Sequence, residues 1–177
     1  MVTAAPPVPD AHLTEQEQQH IDTSRIWRRT GVGYQEIQGT KPQSLGYGLG
    51  DSPAGLAGWI VEKSHECNHA DIRDAFTFDR LPDNITAYWV TGTATSSLRI
   101  YWEMQQARRR AVPQARGEAP TAVAVFPGEI GITPRSWTEA ACNVVRWSSP
   151  GRGGHFAAME APGEFVDDVR SFFGSIG

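Results

Sequence analysis

Arg152-Gly153-Gly154-His155-Phe156-Ala157-Ala158-Met159-Glu160-Ala161-Pro162 sets one histidine on a glycine-rich loop. A strand-like run, residues 143–147, precedes the loop, and a helix-like run follows Pro162. Glycine backbones allow turns that other residues avoid. A histidine raised on such a turn is well suited to general acid–base work, because its charge changes near neutral pH. The alternative is a loop histidine that merely satisfies local hydrogen bonds.

Working back from this loop, Thr121 to Phe126 is a short, continuous apolar run with two valines, the pattern of a buried strand. Pro127-Gly128-Glu129 ends it. Thr133-Pro134 then caps a helix that contains Trp137. After the histidine loop comes an amphipathic helix with Phe165, Val166, Val169, Phe172 and Phe173 on one face and Gly174 as its stop. Residues 113–177 therefore predict strand–helix–strand–helix, the end of a doubly wound sheet. In such sheets ligands bind beyond the carboxyl ends of the strands. Glu129 and His155 each fall just past one such end. If the two strands are parallel neighbours, a carboxylate meets an imidazole. The carboxylate then fixes the tautomer and supports the imidazolium, leaving the other ring nitrogen as a base. Without that pairing, Glu129 is an ordinary turn carboxylate.

Residues 13–112 read as nearly all helix. Thr14-Glu15-Gln16-Glu17 has the spacing of a capping box, which predicts a polar helix towards Arg29. Gly31 and Gly33 break it, and the Gly-, Gln- and Thr-rich stretch from Tyr34 to Gly50 predicts a long ordered loop. Ser52-Pro53 opens a helix that buries Leu56, Trp59 and Ile60. The polar stretch from Ser64 to Asp74 predicts a surface loop. Ile85, Tyr88 and Trp89 repeat the helical spacing, as do Leu98, Tyr101 and Trp102 after Thr91-Gly92-Thr93. Arg108-Arg109-Arg110 suits a helix C-terminus. Residues 1–12, rich in proline and alanine, predict an irregular start.

Composition narrows the function classes. The chain has 177 residues and six tryptophans, enough for a real core or an aromatic pocket. A net charge of −4 gives no electrostatic case for nucleic acid. No run approaches the roughly 20 apolar residues that span a bilayer. Two cysteines, Cys67 and Cys142, give no disulfide framework and point to a reducing, cytoplasmic setting.

From about Gly33 to Phe173 the chain resembles the microsomal-type epoxide hydrolases of the α/β-hydrolase superfamily. The resemblance rests on Gly33-Tyr34 with Gln38, Thr40, Lys41 and Pro42, then on Asp51-Ser52-Pro53-Ala54-Gly55-Leu56-Ala57 with Trp59-Ile60 and Glu62-Lys63. It continues through Tyr88-Trp89, Thr91-Gly92-Thr93, Ser96-Ser97, Tyr101 and Phe126-Pro127-Gly128-Glu129 to the histidine loop. The order of these motifs makes the match specific. It implies an incomplete α/β-hydrolase fold: a mostly helical lid over 13–112, then the last two strand–helix units of the sheet over 113–177. It implies hydrolysis of a small-molecule epoxide to a diol through an aspartyl ester. Tyr34 and Tyr101 would bind the epoxide oxygen, and His155, oriented by Glu129, would activate water. No metal or organic cofactor is expected. Detoxification and aromatic hydrocarbon catabolism are the roles that follow from the family.

One part of the family pattern is missing. Its nucleophilic aspartate belongs to a strand–elbow–helix before the lid, and Asp10 and Asp22 do not sit in that context. The expectation is a C-terminal portion, inactive alone. A rival is a non-enzymatic remnant that binds a separate N-terminal half or forms homo-oligomers through an unpaired strand edge. Ester hydrolysis by a serine is disfavoured by the two tyrosines. His65, Cys67, His69 and Asp71 alternate and would share a face if extended, but this spacing matches no standard zinc pattern, so no metal site is assigned.

Overall fold

The computed structural model describes residues 7–8, 12–68, 71–76, 79–110 and 115–176, apart from the side chain of Asp74. The expected irregular start and His69 fall largely or wholly outside them. Contacts divide the chain into two units. One holds residues 1–28, 67–71 and 114–177; the other holds 29–66 and 72–113. No helix among the described residues is long and apolar enough to cross a membrane.

The second unit is helical. It contains α2 (Gly33–Thr40), α3 (Pro42–Asp51), α4 (Pro53–Glu66), α5 (Ile72–Ala75), α6 (Arg80–Thr91) and α7 (Ala94–Arg109). Leu49, Leu56, Ala94 and Leu98 form its buried centre, with Leu45, Trp59, Ile60, Ile85 and Tyr88 packed around them. Ser52 caps α4 through its hydroxyl, which accepts the Gly55 N–H at 3.0 Å. Gly92 ends α6 in the left-handed conformation, at φ 63°.

The expected loop from Tyr34 to Gly50 is instead two helices, α2 and α3. The glycines that suggested a loop serve helix packing. A Cβ on Gly39 would lie 2.5 Å from Gln105, and one on Gly46 would lie 2.5 Å from Thr95, both on α7. The missing side chains let α2 and α3 approach α7, and the Thr95 hydroxyl donates to the Gly46 carbonyl at 3.1 Å. The expected surface loop after Ser64 is also corrected. Helix α4 runs on to Glu66, α5 follows, and Ser64, Cys67, Ala75 and Phe76 are buried. His65 lies on α4, so it is not part of an extended segment; His69, in the same alternating set, lies outside the described residues.

In the first unit, α1 (Glu15–Thr30) begins with the expected capping box. The Glu17 N–H donates to the Thr14 hydroxyl at 3.2 Å, and the Glu17 carboxylate accepts the Thr14 N–H at 2.9 Å. The other oxygen of Glu17 accepts the Arg135 N–H at 2.9 Å, so one carboxylate serves two helix N-termini. This removes part of the cost of burying Glu17: desolvation pushes its pKa up, but these backbone donors outweigh it and hold the carboxyl below its ordinary value.

Strands β1 (Gly117–Ala124) and β2 (Cys142–Ser148) pair in parallel, and α8 (Arg135–Ala141) lies in the connection that parallel pairing requires. β1 starts earlier than its apolar run suggested. Residues 117–120 are exposed, so hydrophobicity does not mark them, and a register shift accommodates Pro120. Helix α10 (Pro162–Ile176) follows the short α9 (Ala157–Glu160). Gly174 does not stop α10; it lies inside the last turn. Arg146 on β2 anchors α10 by donating to Asp168 at 2.7 Å. The apolar stripe of α10 is largely uncovered, with Phe165 37% and Phe173 63% exposed. A sheet of two strands offers too little surface to bury it.

Leu56 is 2% exposed at the centre of the helical unit. Leu56→Ala should destabilise that unit by about 2–5 kcal/mol, the usual cost of a lost side chain plus a cavity, read from urea unfolding.

Candidate active site

The strand pairing continues past the strands. The Val125 N–H donates to the Ser148 carbonyl at 2.9 Å. Further on, Gly128 and Gly154 form an isolated parallel bridge, and the Gly128 N–H donates to the Gly153 carbonyl at 3.0 Å. Glu129 and His155 each follow their bridge glycine by one residue. Equal phase in a parallel ladder points their side chains to the same region.

The result is a carboxylate–imidazole pair. His155 Nδ1 stands 2.9 Å from Glu129 Oε1 and 3.1 Å from Oε2. An ionised carboxylate can only accept, so Nδ1 carries the proton and donates it. Glu129 Oε1 also accepts the Gly131 N–H at 3.3 Å. The pairing moves both pKa values. The hydrogen bond that Nδ1–H donates to Glu129 raises the pKa of His155 above its ordinary 6.5, against the opposing effect of burial, and the Glu129 and Glu160 charges add to the rise. Burial pushes Glu129 up, but its hydrogen bond and charge interaction with His155 prevail and hold it below its ordinary 4.5. Nε2 has no hydrogen-bond partner among the described residues and can accept a proton.

The loop geometry depends on Gly153. It has φ +107°, which side-chain-bearing residues rarely adopt, and a Cβ there would lie 2.9 Å from Phe126 and 3.3 Å from Ala161. Both neighbours are buried. The His155 N–H donates to the Cys67 carbonyl at 3.1 Å, and the Phe156 N–H to Glu160 at 2.9 Å. The Cys67 anchor does not follow from the sequence pattern, because Cys67 is remote in sequence and its backbone does the work.

Tyr34 and Tyr101 come together in the helical unit. Tyr34 opens α2, Tyr101 lies midway along α7, and their rings meet edge to face with centroids 5.8 Å apart. Gln35 Nε2 donates to the Tyr34 hydroxyl at 2.9 Å. The Lys63 ammonium sits 4.8 Å from the centre of the Tyr34 ring. It is held there by Glu62 at 2.7 Å and Glu66 at 2.6 Å. Burial pushes Lys63 down, but the two carboxylates overcome this and raise it above its ordinary value. The Glu-Lys pair belongs to the resemblance motif, but nothing in its spacing reveals contact with Tyr34.

No protein-family model matches the chain. Its fold is nevertheless that of an α/β-hydrolase. It superposes on an epoxide hydrolase of Aspergillus niger with a TM-score of 0.84 at 24% identity, over 100% of this chain and 45% of that one. The juvenile hormone epoxide hydrolase of the silkworm Bombyx mori aligns with a TM-score of 0.80 at 29% identity, over 92% of this chain and 42% of that one. In sequence, epoxide hydrolase 1 of Sus scrofa is 38% identical over 153 residues, 80% of this chain and 34% of the relative. The chain belongs with the epoxide hydrolases and matches a C-terminal portion of them. It spans about a third of the length of the curated relatives it matches.

Replacing Glu129 isolates the electrostatics of the pair. In Glu129→Gln the His155 midpoint, followed by NMR titration, should fall, because its largest raising partner is gone while burial remains and only the Glu160 charge still favours the imidazolium. Gly153→Ala should destabilise the first unit by about 1–3 kcal/mol, the range for forcing a side chain into a strained backbone position, checked by thermal melting.

Proposed function

We propose that this chain carries the water-activating half of an epoxide hydrolase. His155 Nε2 takes a proton from water, and Glu129 orients the ring and supports the imidazolium that forms. The hydroxide attacks the carbonyl carbon of an ester between an aspartate and the opened epoxide. The acyl–oxygen bond breaks, the leaving alkoxide takes the proton back from His155 Nε2, and the diol and the aspartate are released. Tyr34 and Tyr101 donate hydrogen bonds to the epoxide oxygen as the first step opens the ring, stabilising the developing alkoxide. The substrate class is a small apolar epoxide. Neither half-reaction requires a metal or organic cofactor.

The observation that carries this proposal is the Glu129–His155 contact at 2.9 Å, with Nδ1 engaged and Nε2 left to act. That contact is made at the tips of two parallel strands, where α/β sheets place their chemistry. The edge-to-face tyrosine pair supports the epoxide assignment over simple ester hydrolysis. In this scheme residues 13–112 form the lid and 113–177 the end of the core. The ester-forming aspartate comes from sequence outside residues 1–177, and further sheet from the same source covers the apolar stripe of α10. The helical unit alone supplies phenols, which cannot form the ester.

The 177 residues alone should form no diol from styrene oxide. Fused behind the nucleophile-bearing portion of a related epoxide hydrolase, they should form diol. There His155→Ala should accumulate the covalent ester, seen as added mass, while turnover falls by about 10²-fold or more, the scale of a lost general base. Tyr34→Phe should slow ester formation. Wild-type turnover in the His155→Ala fusion would overturn the proposal.

A further inference from the structure

The backbone approaching His155 is gripped from α10. Glu164 stands in the first turn of that helix. Its Oε2 accepts the Gly151 N–H at 3.0 Å and the Arg152 N–H at 3.2 Å. Its Oε1 accepts the Arg152 Nε–H at 2.9 Å. Both oxygens are engaged, so the carboxylate cannot turn away without losing one set of donors. The helix N-terminus also favours a negative charge at this position. The helix is itself tied to the sheet one turn later, where Asp168 accepts from Arg146 on β2. Glu164 therefore joins a braced helix to the two residues that lead into Gly153.

That point matters because the next residues have little freedom. Gly153 sits at φ +107° against Phe126, its carbonyl accepts the Gly128 N–H, and Gly154 pairs with Gly128. The direction in which Arg152 hands the chain to Gly153 sets whether the Gly128–Gly154 bridge forms. That bridge places His155 beside Glu129. We propose that Glu164 is a positioning residue for His155: by holding the Gly151–Arg152 turn it keeps Nδ1 on the Glu129 carboxylate. The proposal rests on His155 acting as the base, and assigns to Glu164 control over its orientation without contact with the imidazole.

The experiment is long-range ¹H–¹⁵N NMR of His155 in the labelled 177-residue chain, with thermal melting in parallel. Wild type should show a far-downfield Nδ1 proton and a titration midpoint above 6.5. In Glu164→Ala the downfield proton should broaden away, and the midpoint should drop by about half or more of the drop caused by Glu129→Gln, since the same contact is loosened. Glu164→Gln keeps a side-chain oxygen acceptor and should retain most of the wild-type signal. A merely structural role would lower the melting temperature and leave the His155 signal unchanged in the folded protein. That result overturns the proposal. If Glu164→Ala does not fold, Glu164→Asp carries the test, because its shorter side chain withdraws the acceptors from the turn; unchanged His155 signals in it are equally fatal. Glu129→Gln separates the two readings. No response of His155 to Glu129→Gln refutes the Glu129–His155 pair itself. A response to Glu129→Gln alone refutes only the role of Glu164.

Discussion

The Gly128–Gly154 bridge is one parallel contact beyond the ends of β1 and β2, and the first unit depends on it. A parallel ladder keeps its two chains in phase, so residues that follow a bridge by one step emerge together. Glu129 and His155 do so. Regular strand structure has ended by then, and the backbone must be held by other means. Glycine at 153 accepts a left-handed conformation, and its missing side chain leaves room for Phe126. Separate acceptors fix the loop on either side: Glu164 before it, and Cys67 and Glu160 at and after the histidine. Strain at one residue is offset by hydrogen bonds at its neighbours.

The helical unit solves a different problem with the same residue type. Gly39 and Gly46 let helices α2 and α3 lie close against α7. This close packing sets α2 and α7 side by side, and with them Tyr34 and Tyr101. Lys63 then lies over the Tyr34 ring between two carboxylates. A cation on the ring face withdraws electron density from the phenol, and the amide of Gln35 does so at the oxygen. The Glu62–Lys63–Glu66 arrangement therefore reaches the Tyr34 ring as well as bracing its own helix.

Much of this was legible in the sequence because it is written in local rules. The capping box at Thr14, the Ser52-Pro53 start, the apolar spacing of Leu56, Trp59 and Ile60, and the parallel strands flanking a helix all follow from short-range patterns. The juxtaposition of Glu129 and His155 followed from strand order and phase. The differences lie where tertiary contacts override local propensity. Gly39 and Gly46 lie in a glycine-rich stretch whose composition suggests a loop, and Gly174 suggests a helix stop, because local propensity penalises glycine in helices. At Gly39 and Gly46 a tertiary approach repays that penalty, and near a helix end, as at Gly174, it is small. Ser64 and Cys67 were read as surface because polarity was taken for exposure. The Cys67 carbonyl and the Glu164 grip involve backbone groups, which carry no sequence signature.

The paired pKa shifts set the pH range over which the Glu129–His155 pair is charged. His155 is raised, so its contribution to stability is fully present below its ordinary 6.5 and is lost as pH rises through the higher folded value. Glu129 is lowered, so its contribution is present above its ordinary 4.5 and is lost as pH falls through the lower folded value. The charged pair therefore stabilises the loop most between those limits, where the imidazole holds both protons. Nε2 loses its proton only as pH passes above the raised value. Over that range the ion pair gives way to a hydrogen bond from the neutral imidazole's Nδ1–H to the ionised carboxylate. The orientation of the ring then depends more on the backbone. The bridge at Gly154, the anchors on the His155 and Phe156 N–H groups and the grip of Glu164 on the preceding turn act on the backbone and not on the imidazole ring. They can hold His155 in place at the pH where its own attraction to Glu129 is weakest.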